Sequence, residues 1–353
     1  KNRWRHCIIS VWPELDFDQA RIKLSKKSLA GVSEGVRKMK QALQTPAERF
    51  AAIPDYPFAP HFCEVSDSEY GSLRMHYVDE GPRHGPVVLM AHGEPSWSFG
   101  YRKVISAVSA AGYRVVAPDH IGFGKSDKLL QTSDYSYQQF VDWMVSFVRQ
   151  LDLTNIVVLC QDWGGPISLR TLSQMPERYS GVVCANTLLP NCENPPQGVP
   201  DWPGAIVEDW VNLVRSMEDM PVGAIVDSVC VKSCSDQVIA AYDAPFPEPR
   251  YKAAALAFPL LIPRTPEMPG SSENREAWKV LEQLDIPFVT AFSDSDPSTK
   301  PWETVFQSRL PGTVHSLCRE IPAAGHFVQE DQPELLAQVV LDVLQYTVAG
   351  SGA

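Results

Sequence analysis

The stretch NIVVLCQDWGGPISLR, residues 155–170, constrains the fold more than any other part of the sequence. The apolar run 156–160 predicts a buried β-strand, and the residues after the two glycines have the periodicity of a helix. Asp162 lies in the sharp turn between them. In an α/β protein such a turn lies at the carboxyl edge of the sheet, where sites are found. A helix cap is the plainer role for an aspartate there, and a catalytic carboxylate is the alternative.

Other apolar segments repeat this strand–helix alternation along the chain. The further strand candidates are 73–80, 87–91, 114–118, 181–186, 287–292 and 315–321. Helical patterns lie between most of them, at 137–151, 165–175 and 332–347. Fully apolar strands that alternate with helices predict a parallel sheet covered on both faces.

The alternation stops between about 190 and 268, where prolines are frequent. This region begins PNCENPPQGVPDWPG, and it contains helix-like segments such as AIVEDWVNLVRSM. We expect a helical insertion that lies over the sheet edge as a lid. The predicted organisation is an extension, 1–49, a core formed by 50–189 and 268–353, and a cap, 190–267.

The extension differs from the rest of the chain in charge. Residues 1–49 hold eleven Lys and Arg against five Asp and Glu, whereas the whole chain has a net charge of −11. An apolar stripe with helical spacing is formed by Leu29, Val32, Val36, Met39 and Leu43. The stripe predicts a helix that docks on the acidic body or mediates self-association, as in a homo-oligomer.

Composition excludes several classes of partner. The negative charge argues against binding to nucleic acid or to an anionic membrane. No run approaches about 20 apolar residues, so we expect no transmembrane helix, and the first residues do not have the pattern of a signal peptide. The eight cysteines lack zinc-ligand spacing, which favours a reducing, cytoplasmic setting and no metal.

Asp162 has the sequence context of a nucleophile elbow, with aspartate in place of the usual serine. The segment AHGEPSW, 91–97, follows another apolar strand. Its Glu94 amide and the amide of Trp163 are candidate donors to an oxyanion. His92 is a candidate base, although a histidine before glycine here more often fixes the loop.

Two later segments supply a possible acid and base. In AFSDSDP, both Asp294 and Asp296 follow a strand and could orient an imidazole. In AAGHFVQED, His326 lies in a turn after the last strand. The chain order of nucleophile, acid and base is the order of the α/β-hydrolase scheme.

Six motifs together resemble the haloalkane dehalogenases of the α/β-hydrolase superfamily: HGEPSWSFGYRKVI, APDHIGFGKSDK, CQDWGG, AAYDAPFP, AFSDSDP and AGHFVQE. They are most similar to the branch with two halide-binding tryptophans, and the likeness runs from about 45 to about 348. It implies an α/β-hydrolase fold, with a mostly parallel eight-stranded sheet and a helical cap after the sixth strand. It also implies hydrolysis of a haloalkane by water to alcohol and halide ion, through an alkyl-aspartate ester and with no cofactor.

The resemblance assigns Asp162 as nucleophile, His326 as base and Asp296 as acid. Asp296 is preferred to Asp294 because it precedes a proline and follows Ser293 by three residues, where the family usually has glycine. Trp163 carries over as one halide ligand. The second is expected in the cap, from Trp202 or Trp210. Trp210 is favoured because it precedes Tyr242 by close to the family spacing, and the expected pocket residues are Pro166, Val207, Phe258 and Pro259.

The residue types fit this chemistry. A serine attacking a saturated carbon would leave an ether, which water cannot cleave, whereas Asp162 leaves an ester that water can open. Two indole N–H groups can hold the departing halide without adding formal charge.

Three alternatives remain open at this point. An epoxide hydrolase on the same fold would need lid tyrosines, for which Tyr242 and Tyr251 are candidates. A fluoroacetate dehalogenase usually has arginine after the nucleophile, where this chain has Trp163. A ligand receptor or a light-emitting, cofactor-independent oxygenase belongs to a different class, and an intact triad argues against it.

Overall fold

A computed structural model describes residues 39–192 and 202–350. Their centre is one sheet with the order β1-β2-β4-β3-β5-β6-β7-β8. β2 is antiparallel to both of its neighbours, and the other pairs are parallel. The strands are β1 His61–Asp67, β2 Gly71–Glu80, β3 Val87–Ala91, β4 Arg114–Pro118, β5 Ile156–Asp162, β6 Tyr179–Thr187, β7 Phe288–Ser293 and β8 Arg319–Ile321. The predicted mostly parallel eight-stranded sheet is confirmed.

The central strands carry apolar side chains on both faces and therefore need cover on both sides. All five residues of β3 are buried, as are six of the seven in β5. The covering helices are α1 Arg102–Ala110, α2 Tyr137–Gln150, α3 Gly164–Gln174, α8 Ser271–Leu281, α9 Pro301–Arg309, α10 Val328–Asp331 and α11 Pro333–Gly350. Within the described ranges, no helix has both the length and the apolarity needed to cross a membrane.

The two edges of the sheet differ from the prediction. β1 was not predicted, because it is an edge strand with one buried residue and little apolar content. At the other edge, β8 comprises only Arg319–Ile321 instead of the predicted 315–321. Leu317 and Cys318 donate backbone hydrogen bonds to the carbonyl of Val314, which forms a turn there rather than a strand.

Five helices of the described residues lie between β6 and β7. The last is α8, which covers the sheet, and the first four form the insertion: α4 Gly204–Ser216, α5 Val222–Ser228, α6 Asp236–Asp243 and α7 Ala253–Leu261. The predicted helical insertion after the sixth strand is therefore confirmed. α4 and α7 contact each other, and α4 buries Val211 and Val214.

The predicted amphipathic helix of the extension lies mostly outside the described residues, including Leu29, Val32 and Val36. Its last members, Met39 and Leu43, are described and are not helical. Leu43 exchanges two backbone hydrogen bonds with Lys128, at 2.8 and 2.9 Å, and so pairs as an extended bridge. The helix prediction is wrong for this last turn, because strand-like pairing satisfies its backbone groups.

Candidate active site

The turn between β5 and α3 holds Asp162 in a strained conformation. Its φ of 50° lies in the left-handed region, which is uncommon for residues other than glycine. Helix α3 begins two residues later at Gly164, where an added Cβ would lie 2.0 Å from the carbonyl oxygen of Ala91. Glycine is needed there so that the helix can approach β3 closely. The turn therefore displays the carboxylate at the sheet edge.

Three neighbours hold Asp162 in place. The backbone N–H of Glu94 donates to its Oδ1 at 2.7 Å. Thr187 Oγ1 donates to its backbone carbonyl at 2.6 Å. His326 Nε2 lies 3.4 Å from the other carboxylate oxygen, Oδ2. One oxygen of the carboxylate is thus bound by an amide of the loop after β3, and the other faces an imidazole.

His326 is held between two carboxylates. Its Nδ1 lies 3.0 Å from Oδ2 of Asp296, which is fully buried and also accepts hydrogen bonds from Ser298 and Thr299. Burial alone would lower the pKa of His326, but the charges of Asp296 and Asp162 outweigh it and raise that pKa to about 10. Burial would raise the pKa of Asp296, but the imidazolium and the hydroxyl donors lower it to about 2.

Glu94 places a buried carboxyl beside Asp162. Its side chain is buried, and Oε1 has no hydrogen-bond partner among the described residues. Burial, followed by the negative charge of Asp162, raises the pKa of Glu94 well above its usual range. Its surroundings therefore favour the protonated form of the Glu94 carboxyl.

The other acid and base candidates are engaged by other groups. Asp294 is exposed, and its carboxylate accepts the backbone N–H of Ala323 at 2.9 Å. His92 is buried, with Nδ1 2.9 Å from the carbonyl of Gly93 and Nε2 3.0 Å from the N–H of His120. Both nitrogens of His92 are therefore engaged by backbone groups, one in its own loop and one in the loop after β4.

A cavity of about 1170 Å³ lies between the sheet edge and the inserted helices. Its lining includes most of the residues singled out from the sequence: Glu94, Asp162, Trp163, Val207, Trp210, Pro259, Asp296 and His326. Among its described lining residues there is no tyrosine. Tyr242 is buried and donates instead to Oε1 of Glu330 at 2.6 Å.

The three candidate tryptophans occupy different environments. Trp163 lines the cavity and stacks on Phe258, with ring centroids 4.7 Å apart. Trp210 lines the cavity from α4. Trp202 is absent from the described lining, and its Nε1 donates to the carbonyl of Pro263 at 3.0 Å. Its indole N–H is thus engaged by the chain itself.

Two expected pocket residues lie behind the cavity wall. Phe258 is fully buried against the indole of Trp163. Pro166 is in the first turn of α3, where its carbonyl accepts the hydroxyl of Tyr137 at 3.1 Å. Tyr137 also packs edge-on against the indole of Trp163, with ring centroids 5.2 Å apart, so Pro166 acts on that indole only through Tyr137.

Sequence reasoning missed a group of polar residues beneath the triad. Gln161 donates to the carbonyl of His326 at 3.1 Å, and Asn186 donates to the same carbonyl at 2.9 Å. Thr187 holds the backbone of Asp162, as described above. The available signal was a polar residue at the end of an apolar strand, in CQD and in CANT.

Comparisons with known proteins agree with this architecture. A family profile described as alpha/beta hydrolase fold matches residues 86–220. A haloalkane dehalogenase of Psychrobacter cryohalolentis is 45% identical over 302 residues, which cover 86% of this chain and 97% of that relative. One of Mycolicibacterium paratuberculosis is 40% identical over 85% of this chain and 97% of that relative.

Solved structures give the same result. The tetrameric haloalkane dehalogenase DpaA of Paraglaciecola agarilytica superposes with a TM-score of 0.77 at 31% identity, covering 85% of this chain and 97% of that one. The fold and the Asp–His–Asp site define an α/β-hydrolase. Within that class, the identity to curated relatives over most of its length shows that the chain belongs to the haloalkane dehalogenase family.

Proposed function

We propose that this enzyme hydrolyses haloalkanes to an alcohol and a halide ion through an ester on Asp162. Membership of the haloalkane dehalogenase family supports the reaction. The observation that carries the mechanism is the position of the Asp162 carboxylate at the cavity wall, with Oδ1 bound by the Glu94 amide and Oδ2 3.4 Å from Nε2 of His326.

In the first step, Oδ2 of Asp162 attacks the carbon, the carbon–halogen bond breaks, and the halide leaves with the bonding electrons. We assign the indole N–H groups of Trp163 and Trp210 to the halide, since both residues line the cavity with the nucleophile. Trp202 is the weaker candidate, because its Nε1 already donates to Pro263. Val207 and Pro259 then line the substrate pocket beside Trp210, with Phe258 and Pro166 behind it.

In the second step, His326 takes a proton from water, and the resulting hydroxide attacks the ester carbonyl. Oδ1 becomes the oxyanion, held by the Glu94 amide and by the amide of Trp163. The intermediate then collapses as the bond between Cγ and Oδ2 breaks, and the alcohol leaves with the proton that His326 returns. The restored carboxyl of Asp162 releases the second proton of the water. Forming the ester removes the charge of Asp162, which is one of the two charges that raise the pKa of His326. The pKa of His326 therefore falls, so the imidazole is released as a base only after the first step. Asp296 orients it and stabilises the imidazolium.

The surrounding organisation follows from the same function. We take 190–267 as a cap over a core of 50–189 and 268–353, with 1–49 as an extension that docks on the acidic body or joins copies of the chain. The DpaA relative is tetrameric, which supports testing for a homo-oligomer. We also propose a cytoplasmic setting with neither metal nor organic cofactor, and no nucleic-acid or membrane partner.

The test is a panel of terminal chloro- and bromoalkanes beside matched epoxides. We expect one halide and one alcohol per turnover, with bromide released faster than chloride because it is the better leaving group. The readout is halide titration with product analysis. Diol formation from the epoxides without halide release from the haloalkanes would contradict the proposal.

A further inference from the structure

Asn186, the penultimate residue of β6, lies beneath the triad rather than in the cavity. Its side chain is fully buried, and its φ of 40° is in the left-handed region. Asparagine enters this region more readily than most residues. The backbone alone does not explain a buried carboxamide, however, because a buried amide is costly unless its hydrogen bonds are made. Its partners therefore indicate what it does.

One set of partners belongs to the segment that carries the acid. Oδ1 of Asn186 accepts the backbone N–H of Ser293 at 2.8 Å, and Nδ2 donates to the hydroxyl oxygen of Ser293 at 2.8 Å. Ser293 is the last residue of β7 and precedes Asp296 by three residues. The carboxamide thus fixes the point from which the acid loop leaves the sheet.

The other partners belong to the turn that carries the base. Nδ2 also donates to the carbonyl of Gly325 at 2.8 Å and to that of His326 at 2.9 Å. Its two N–H groups serve three acceptors, so one of them is shared. Gln161 adds a second donor to the His326 carbonyl. The base turn is therefore held against β5 and β6 from its buried side.

These contacts fix the acid and the base relative to each other. The separation of His326 Nδ1 and Asp296 Oδ2, 3.0 Å, depends on where the two loops leave the sheet. On the solvent side, the carboxylate of Asp294 connects the same two loops by accepting the backbone N–H groups of Ala323 and Ala324. On the buried side, Asn186 connects them through the backbone carbonyl of His326 itself.

We propose that Asn186 is a positioning residue for hydrolysis of the ester, and that it has no part in displacement of the halide. This inference rests on the function proposed above. Displacement needs the carboxylate of Asp162, which is held by Glu94 and Thr187. Hydrolysis also needs His326 to stay within hydrogen-bond distance of Asp296. The two steps of one reaction therefore depend on different buried contacts.

The test is Asn186→Ala, measured by rapid mixing with a bromoalkane. We expect an unchanged first burst of bromide, ester hydrolysis slower by on the order of 10- to 100-fold, and an alkyl adduct on Asp162 visible by intact mass. Because the ester then accumulates, kcat and KM should fall together while kcat/KM stays unchanged. A general loss of folded structure would not divide the two steps in this way.

Two further variants complete the experiment. The control for loss of stability is Val183→Ala. Val183 is buried on the same strand as Asn186, but it pairs with β5 and β7 away from the triad. Ser293→Ala removes one hydroxyl partner of Asn186 with little change in volume and should slow hydrolysis by a few fold. It decides the question if Asn186→Ala does not fold.

Either of two results would overturn the inference. One is wild-type ester hydrolysis in folded Asn186→Ala, or in Ser293→Ala if the first variant does not fold. The other is a fall in kcat/KM proportional to the fall in kcat, matching Val183→Ala. If the wild-type protein itself forms no ester on Asp162, the proposed function fails instead, and that result is independent of Asn186.

Discussion

The core half of the site consists of Asp162, Asp296 and His326. These residues lie at the end of a strand of the sheet or in the loop that follows it. The cap half, formed by Val207 and Trp210, lies on α4 of the insertion. Asp296 is fully buried and bonded to several donors, whereas Trp210 is half-buried at the cavity wall. Strand ends with bonded side chains fix reacting groups to within fractions of an ångström, which the chemistry requires.

The cap half has a different physical task. A halide and an alkyl chain need an apolar wall and one or two aimed donors, and these tolerate more variation than a nucleophile and a base. Charge and bond making therefore belong to the core half, whereas the cap half, through Trp210, shares the holding of the leaving group with Trp163, directly after β5. Three experiments test that division.

The largest expected effect is on His326. His326→Phe leaves the nucleophile and the halide ligands in place, so Asp162 should still be alkylated once. Steady turnover should fall by on the order of 10⁴-fold or more, because the ester has no base to activate water. Intact mass should show one alkyl adduct per chain, and peptide mapping should place it on Asp162. Continued turnover, or an adduct on another residue, would contradict the assignment of displacement to Asp162 and of ester hydrolysis to His326.

The second effect concerns the cap half. Trp210→Phe keeps an apolar ring and removes the N–H donor, so it should cost about 2–4 kcal/mol in the displacement step, on the order of 10²-fold in rate. It should also weaken the quenching of tryptophan fluorescence by bromide or iodide. The measurements are a bromide titration and a bromoalkane burst assay.

The matched control is Trp202→Phe, on the same insertion. Its N–H bonds to Pro263 and its ring packs on Trp302, 5.3 Å between centroids, so both halide measurements should stay close to wild type. Normal halide release in Trp210→Phe together with a defect in Trp202→Phe would reverse the assignment of the halide ligand.

The same division explains which features the sequence could predict. Asp162 and its elbow were predictable because strand, turn and helix are contiguous in sequence. His326 followed from its place after the last strand and from the chain order, whereas the choice of Asp296 over Asp294 came from the family resemblance. The role of Asn186 depends on three distant segments meeting below the sheet edge, and no local pattern carries that information. β1 was missed because an exposed edge strand needs few apolar residues.

The cap was the least predictable region for the same reason. The helix of Trp210 was recognisable from its periodicity, but its orientation depends on packing against α7. Phe258 resembles a pocket residue in sequence, yet it lies one layer behind, under the indole of Trp163. A side chain's layer is decided by tertiary packing, which a single sequence specifies only indirectly.

The remaining prediction concerns the pH dependence of stability rather than turnover, and it sharpens the comparison because only the core half carries charge. The folded pKa of His326 is raised to about 10 by Asp296 and Asp162, against an unfolded value of about 6.5. Its stabilising contribution is therefore complete below pH of about 6.5 and is lost as pH rises towards 10. The difference in free energy of unfolding between wild type and His326→Phe should shrink over that range, by on the order of a few kcal/mol. Urea denaturation at pH 6.5 and 9.5 measures it, with His84→Gln in an exposed loop as the control. A difference that stays constant with pH would mean that the two carboxylates do not hold an imidazolium in the free enzyme.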